Sequence, residues 1–227
     1  MFAKLSIRTK ITALIIALLL PVIGLGVISL IQMRTLNAST TEIGTNWLPT
    51  VKELGNMRTT VTLYRNRLRD HLLAVTPQGK AEEEQRLETI LSTLQQQKAI
   101  YETLISSPEE RQIYEEWIRE WDTYMIEANK VLALSRQSPG RLPEEAIAHL
   151  RQSAAPVSQR VDSILQRDID LNEKGSADAM STAAATYSSA IFVVVAILSI
   201  AVVIGAGAGL LTVRDVSQGI ASIVKPM

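Results

Sequence analysis

Apolar residues recur at spacings of three and four through four stretches of the chain, and no strand-like alternation appears between residues 34 and 187. The first stretch runs over residues 43–75 and the second over residues 87–104. The third, residues 114–131, is unusually aromatic, and the fourth covers residues 147–171. This pattern is typical of helices packed along heptad seams, so it predicts an all-α fold.

Helix-breaking residues separate the four stretches. Thr76-Pro77-Gln78-Gly79 is interpreted as a stop after the first helix, and Ser138-Pro139-Gly140 breaks the chain before the fourth. Before the third helix, Ser107 is expected to act as N-cap, with Pro108 at the first helical position and Glu110 closing a capping box. Because such short connections force neighbouring helices to be antiparallel, we predict an up-down-up-down four-helix bundle.

Some seam positions carry residues other than simple aliphatic ones. Pro49 lies inside the first helix and predicts a kink or break near Trp47. His71 falls on the first seam and is interpreted as a packed histidine. The aromatic residues of the third seam either fill the core or line a cleft for an aromatic ligand; they are Trp117, Trp121 and Tyr124.

Two further segments are apolar throughout. Residues 11–31 and residues 190–213 contain no charged residue, and each is long enough as a helix to cross a hydrocarbon core of roughly 30 Å. We therefore predict membrane helices over residues 11–33 and 188–213. A cleaved signal peptide is the alternative for the first segment, but its apolar run is longer than usual and no small-x-small cleavage site follows it.

Charges flanking the apolar segments predict the orientation of the chain. Lys4, Arg8 and Lys10 precede the first segment, and Arg214 follows the second. By the positive-inside rule both termini, residues 1–10 and 214–227, are then cytoplasmic. Residues 34–187 would form one domain outside the cytoplasm.

Composition excludes several function classes. Residues 34–187 carry 18 Lys and Arg against 22 Asp and Glu, which does not favour nucleic acid as a partner. The chain has no cysteine and only two histidines, without HExxH spacing, so we expect no metal site. It also lacks a glycine-rich phosphate loop and a nucleophile elbow. We therefore predict a non-enzyme without catalytic residues or cofactor.

Four arginines occupy the first bundle helix in RTTVTLYRNRLRDHLLAV, residues 58–75. At about 100° per helical residue, Arg58, Arg65 and Arg69 fall within roughly 40° of one another, while Arg67 points to nearly the opposite side. The first three form an arginine stripe beside the apolar seam, and Arg67 is interpreted as solvated.

The arginine stripe has two open interpretations. In the first, it forms salt bridges to Glu84 and Glu88 of the second helix, which would contribute little at a surface. In the second, it is an anion site, since guanidinium groups bind carboxylates in bidentate fashion. The second interpretation makes the three arginines candidate ligand-binding residues.

The order of segments resembles the N-terminal half of a methyl-accepting chemotaxis protein of the four-helix-bundle ligand-binding class. One motif is Asn46-Trp47-Leu48-Pro49-Thr50-Val51, followed by Leu54, Met57-Arg58 and Arg65. The other is Ile223-Val224-Lys225-Pro226-Met227, which is similar to the start of a HAMP domain with its proline in the first helix. With the order and spacing of the apolar segments, the resemblance covers the whole chain.

The resemblance implies a homodimer in the bacterial inner membrane with residues 34–187 in the periplasm. Such receptors bind a small molecule outside and pass a displacement of the last bundle helix through the second apolar segment to HAMP. In aspartate-type members, arginines of the first helix hold the ligand carboxylate; Arg58, Arg65 and Arg69 occupy the comparable helix and flank with a different spacing. Counting from the far end of the bundle places Ser153 opposite Arg65. The region that contacts the histidine kinase and coupling protein is expected beyond Met227.

Two other functions fit the same residues. The chain can be the input module of a sensor histidine kinase or a diguanylate cyclase, which only the downstream sequence decides. It can also be a membrane-anchored structural or adaptor bundle that binds another protein and no small ligand. The small residues at 205–209 can pack one membrane helix against another in either case.

Overall fold

The computed structural model describes residues 7–224, and within that range the chain is helical without a strand. The helices are α1 (Ile7–Glu42), α2 (Leu48–Leu73), α3 (Pro77–Leu104), α4 (Pro108–Arg136), α5 (Glu144–His149) and α6 (Ala155–Val224). Two π-helical turns, Ile43–Trp47 and Leu150–Ala154, lie between α1 and α2 and between α5 and α6. The predicted all-α fold is confirmed. Lys4, Lys225, Pro226 and Met227, which entered the orientation and HAMP predictions, lie outside the described residues.

One unit of the structure comprises the residues up to Thr40 and those from Met180 onward. It contains the apolar parts of two helices that are long and apolar enough to cross a membrane, and these parts are exposed. Lys10 Nζ lies 2.6 Å from Asp215 Oδ2, so the charged ends of the two apolar segments meet. A Cβ at Gly205 would lie 3.2 Å from Leu18 Cδ2, which shows close packing between the segments at that glycine.

The other unit, Thr41–Ala179, is the four-helix bundle. Its helices are α2, α3, α4 and the α5–α6 arm, and they surround one hydrophobic core. The core follows the predicted seams: Leu54 and Leu68 of α2 have no exposed surface, and every predicted seam residue of α4 is buried. The short connections make neighbouring helices antiparallel, as predicted.

The connection after α2 differs from the prediction. Thr76 is the N-cap of α3 and its Oγ1 accepts a hydrogen bond from the Gly79 N–H at 3.1 Å, while Pro77 occupies the first helical position. The motif that was interpreted as a stop is therefore the start of α3, because a capping hydroxyl followed by proline favours a helix N-terminus. Gly140, at φ +78°, donates its N–H to Val75 O at 2.9 Å and joins the two loops at this end of the bundle.

The cap of α4 is confirmed with one change. Ser107 Oγ accepts a hydrogen bond from the Glu110 N–H at 3.1 Å, as expected of an N-cap. The Glu110 carboxylate does not return to the Ser107 N–H; its Oε2 accepts from the Ser106 N–H at 2.8 Å, one residue earlier. Glu110 is thereby held in the interior, where it is 1% exposed.

The first π turn explains how α2 tolerates its proline. The Leu48 N–H bonds to Ile43 O, five residues back, and Pro49 follows directly. A proline ring clashes with the carbonyl four residues back and donates no hydrogen bond, so an extra residue in the preceding turn gives the ring room. Thr50 Oγ1 donates a hydrogen bond at 2.7 Å to the Asn46 carbonyl oxygen, so this backbone acceptor beside the π turn has a partner. The predicted irregularity is confirmed as a π turn.

The second π turn was not predicted. The Ala155 N–H bonds to Leu150 O, and Pro156 follows, so both π turns end two residues before a proline. The turn contains one residue more than a regular α-helical turn, which shifts the register of everything that follows. This shift helps to determine which residues of α6 face α2.

Candidate functional site

Arg65, the central residue of the arginine stripe, lies between α2 and α6. Its Nη1 is 2.5 Å from Asp162 Oδ2 and donates to Ser158 Oγ at 3.0 Å, while its Nη2 donates to Thr62 Oγ1 at 3.1 Å. The Arg65 side chain is 16% exposed and that of Asp162 is 36% exposed. The guanidinium group is therefore a partly buried cation that ties α2 to α6 through a charge-assisted hydrogen bond.

The other two arginines of the stripe are exposed and have neutral partners. Arg58 Nη1 donates to Gln166 Oε1 at 2.5 Å, and Arg69 Nη1 donates to Asn66 Oδ1 at 3.2 Å. Among the described residues, Asp162 is the carboxylate that the stripe contacts directly. Asp170 Oδ1 also lies on this flank and accepts from Gln166 Nε2 at 2.7 Å. Three guanidinium groups against two carboxylates leave the flank with an excess of positive charge.

The predicted salt bridges from the stripe to α3 are wrong. Glu84 binds Arg136 of α4, with Arg136 Nε and Nη2 donating at 2.8 and 2.9 Å. Glu88 is exposed. The reason is geometric: the stripe faces α6, and α3 packs on another side of α2.

Arg67 is the arginine that faces α3. Its Nη1 lies 3.1 Å from Asp70 Oδ2 and 3.8 Å from Glu83 Oε2, and its side chain is 35% exposed. The prediction that it points away from the other three is confirmed, whereas its interpretation as merely solvated is wrong. It supplies a natural control, since it is an arginine of the same helix on a different flank.

Ser158, rather than Ser153, is the serine that binds Arg65. Ser153 lies inside the second π turn. Counting down a regular helix from the far end placed Ser153 opposite Arg65, but the observed serine lies five residues further along the chain. The extra residue of the π turn accounts for one of the five, and the packing of α6 against α2 sets the rest. The candidate site is therefore formed by Arg58, Arg65 and Arg69 on α2 with Ser158, Asp162 and Gln166 on α6.

The aromatic seam of α4 fills the core. The rings of Trp117 and Trp121 stack at a centroid distance of 5.9 Å, Trp121 lies 5.4 Å from Tyr124, and Tyr64 of α2 meets Trp121 edge-on at 5.7 Å. Each of these side chains is at most 4% exposed. Because the rings occupy one another's faces, the core-filling interpretation is confirmed and none of them lines an open cleft.

The hydroxyl group of Tyr124 borders the arginine stripe from the core side. Its oxygen is buried without a hydrogen-bond partner within the described chain. Burial is the main cause that raises the pKa of Tyr124 above its usual value, and the charges of Arg65, Arg69 and Asp162 also act on it. The hydroxyl group therefore stays neutral and keeps an unused proton to donate.

His71 and Lys80 are buried near the far end of the bundle. His71 Nε2 lies 2.9 Å from Glu84 Oε1, and burial, the largest cause, lowers the pKa of His71. Lys80 Nζ donates to both the carbonyl oxygen and the Oγ of Ser135 at 2.6 Å. His71 is thus the packed histidine that the seam predicted.

The bundle also contains a buried polar cluster that was not predicted from the sequence, and we call it the carboxyl cluster. It consists of Tyr101 from α3, Glu110 from α4, and Asp168 and Asn172 from α6, each at most 1% exposed. In the sequence, Asp168 is a polar residue within the fourth stretch, 147–171, and Glu110 was predicted only as a capping residue. A carboxylate at a seam position was the available signal, since a buried polar group needs partners.

The fold and the candidate site define a membrane-associated helical-bundle protein. Its charged and polar side chains bind one another across neighbouring helices. The chain belongs to the four-helix-bundle sensory modules for signal transduction, because the profile of that family matches residues 4–187. This is a sensory family and not a catalytic one. The resemblance to the four-helix-bundle class is thereby confirmed over residues 4–187.

A curated relative supports the same class. The chain is 23% identical over 184 residues to a protein of Bacillus subtilis (strain 168), whose assignment as sensory transducer protein YvaQ is itself provisional. The match covers 81% of this chain and 32% of the relative, so the chain spans about a third of that protein's length. No solved structure matches the chain.

Proposed function

We propose that this chain is the input half of a transmembrane chemoreceptor and that the arginine stripe binds a small carboxylate outside the cytoplasm. The observation that carries the proposal is the charge imbalance of the stripe. Arg65 is held by Asp162, while Arg58 and Arg69 have only amide oxygens as partners. Arg58 and Arg69 lie roughly 16 Å apart along α2, so each can offer an exposed guanidinium group to a separate carboxylate group of an incoming ligand.

The same residues connect the proposed site to the output. Ser158, Asp162 and Gln166 lie on α6, the helix that also contains the second apolar segment. A ligand carboxylate that competes with Asp162 for Arg65 would weaken the bond between α2 and α6. We propose that α6 is then displaced and that the displacement passes through the second apolar segment to a HAMP domain beginning at residue 214, because a ligand shifts an equilibrium by its differential affinity for two states.

The same proposal includes the oligomeric state, location and partners of the receptor. The receptor acts as a homodimer in the bacterial inner membrane, with residues 34–187 in the periplasm and both termini in the cytoplasm. It reaches a histidine kinase and coupling protein through a region beyond Met227. Exposed apolar side chains on α2, among them Leu63 and Leu73, are available for contact with a second copy.

Thermal unfolding of the whole chain in lipid nanodiscs tests the ligand proposal. A panel of small mono- and dicarboxylates is screened for an increase in unfolding temperature, since a ligand that binds only the folded state stabilises it. At least one carboxylate is expected to raise the unfolding temperature. The increase should be lost in Arg69→Gln and Arg58→Gln.

Arg67→Gln is the matched control, because it removes an arginine from the same helix on the flank that faces α3. It should leave the ligand-induced increase unchanged. If no carboxylate shifts the unfolding temperature, or if Arg67→Gln weakens the shift as much as Arg69→Gln does, the stripe is not the ligand site. Co-purification of a protein partner without any ligand effect would favour the adaptor function instead.

A further inference from the structure

The carboxyl cluster holds two carboxyl groups in the interior of the bundle. Glu110 and Asp168 are each 1% exposed, and Tyr101, which lies between them, has no exposed surface. Among the described residues, neither carboxyl group forms a salt bridge within 4.0 Å to a lysine, arginine or histidine. Two buried negative charges without a cation are strongly unfavourable, so the protonation of this cluster needs an explanation.

The hydrogen bonds of the carboxyl cluster need one proton more than Tyr101 and two ionised carboxylates would supply. The Tyr101 hydroxyl oxygen lies 2.7 Å from Asp168 Oδ2 and 3.1 Å from Glu110 Oε1. A phenol hydroxyl has a single proton and can donate it to only one of these oxygens. The other contact needs a second proton, because two lone pairs facing each other at hydrogen-bond distance repel.

The partners of the two carboxyl groups indicate which one carries that proton. Glu110 Oε2 accepts from the Ser106 N–H at 2.8 Å, and its Oε1 accepts from Asn172 Nδ2 at 3.3 Å. Glu110 also lies in the first turn of α4, where the helix dipole favours a negative charge. Within the described residues, the Asp168 carboxyl group has one further donor besides Tyr101, Asn172 Nδ2 at 3.3 Å, and that amide group donates over a shorter distance, 2.9 Å, to the Asp168 carbonyl oxygen. Asp168 is thus the protonated partner: it donates to Tyr101, and Tyr101 donates to Glu110.

The surroundings agree with this assignment. Burial, the largest cause, and the charge of Glu110 raise the pKa of Asp168 to about 7. The Arg167 charge opposes this rise, as does a hydrogen bond from Tyr101 when Tyr101 is the donor and Asp168 is ionised. Arg167 itself is bonded to Glu116 of α4. On α2, Glu53 and Arg58 have other partners: Glu53 accepts from Asn56, and Arg58 donates to Gln166.

A groove on the bundle lies beside the cluster. The groove, of about 310 Å³, is lined by Glu110 and Asn172 together with Trp47, Lys174 and Gly175. Asn172 Oδ1 is buried without a hydrogen-bond partner in the described chain, so the cluster retains an acceptor that water entering this groove can use.

We propose that Tyr101, Glu110 and Asp168 form a proton-binding site through which the bundle senses the pH of its surroundings in the mildly acidic to neutral range. Loss of the Asp168 proton places a second negative charge beside Glu110. The two carboxylates then separate or admit water, and this shifts α6 relative to α3 and α4. This second input uses neither the arginine stripe nor a small ligand, so it stands if the carboxylate proposal fails.

Infrared difference spectroscopy of the whole chain in nanodiscs tests the proton site. The carbonyl stretch of a protonated, buried carboxyl group is separate from the bands of carboxylates, and it should disappear as the pH rises through about 7. Asp168→Asn, which imitates the protonated side chain, should abolish this titration. Asp170→Asn is the matched control on the exposed face of α6 and should keep it.

Glu110→Gln provides the second variant. It removes the neighbouring charge and should move the midpoint of the Asp168 titration to lower pH, because that charge raises the pKa of Asp168. The unfolding temperature gives an independent readout: relative to Asp168→Asn, the unmodified chain should lose stability as the pH rises from about 4, the pKa of an unfolded aspartate, to about 7. A titrating band that persists in Asp168→Asn, or no carboxyl titrating above pH 5 or so, would overturn the proposal.

Discussion

Arg65 and Asp162 join α2 to α6 through a contact of 2.5 Å between Nη1 and Oδ2, in the middle of the flank where the stripe carries its excess positive charge. The pair has opposite effects on the stability of the bundle and on the proposed binding of a carboxylate. It stabilises the bundle by holding two helices together, and it occupies the guanidinium group that an external carboxylate would bind. Changing Asp162 therefore separates the structural role of the pair from its proposed role in binding.

We expect Asp162→Asn to lower the free energy of unfolding by about 0.5–1 kcal/mol, because more than a third of the Asp162 side chain is exposed and solvent screens the pair. The same variant should bind a carboxylate ligand more tightly, since Arg65 is released from its partner. Ligand titration followed by the unfolding temperature measures both effects. Asp70→Asn, which removes a partner of Arg67, serves as the control and should not change ligand binding. Weaker binding by Asp162→Asn would show that Asp162 helps to form the site and does not compete with the ligand.

The aromatic seam predicts a large effect of a single truncation. Trp121 is 4% exposed and contacts the rings of Trp117, Tyr124 and Tyr64. Trp121→Ala should lower the free energy of unfolding by about 3–5 kcal/mol, because it removes a buried ring and leaves a cavity. Denaturant unfolding followed by circular dichroism measures the loss. Ile126→Ala, on the exposed side of the same helix, should change the free energy of unfolding by about 0.5 kcal/mol or less.

Features that depend on the spacing of residues along one helix could be predicted from the sequence, whereas contacts between helices could not. The core positions were predictable because burial follows the spacing of residues such as Leu54 and Trp117 along one helix. The partners of Arg65 were not, because they depend on a register that the π turn before Pro156 shifts. For the carboxyl cluster, the sequence offered Asp168 as a carboxylate within an apolar seam but not its partner, since Glu110 has a local explanation as a capping residue and only the packed bundle brings it to Asp168.

His71 makes a contribution to stability that depends on pH. Burial lowers its pKa below the usual value of about 6.5 because the charged imidazolium form is disfavoured inside the bundle. Stability from this residue is therefore fully present above the unfolded-state pKa and is lost as the pH falls through the lower folded-state pKa. The imidazole resonances of the chain, followed by NMR during acidification, should show His71 neutral at pH values where a free histidine is half charged. Since the chain has two histidines, His149→Gln assigns the signal. A His71 midpoint at or above that of a free histidine would contradict the assignment.

Gly175 is the position where α6 comes closest to the ring of Trp47. A Cβ at residue 175 would lie 2.3 Å from Trp47 Cη2, closer than real atoms approach, and the ring cannot bend away as a flexible side chain would. Gly175→Ala should therefore lower the free energy of unfolding by about 1–3 kcal/mol, as overpacking does, and alter the fluorescence of Trp47. Gly55→Ala is the matched control: nothing lies within 4 Å of its Cβ position, so the better helix propensity of alanine should stabilise α2 by about 0.5–1 kcal/mol. Trp47→Leu in the Gly175→Ala background should restore part of the lost stability, because it removes the atoms that clash. If Gly175→Ala proved as neutral as an exposed substitution, α6 would not pack on Trp47 at this distance, and the groove beside the carboxyl cluster would have a different shape.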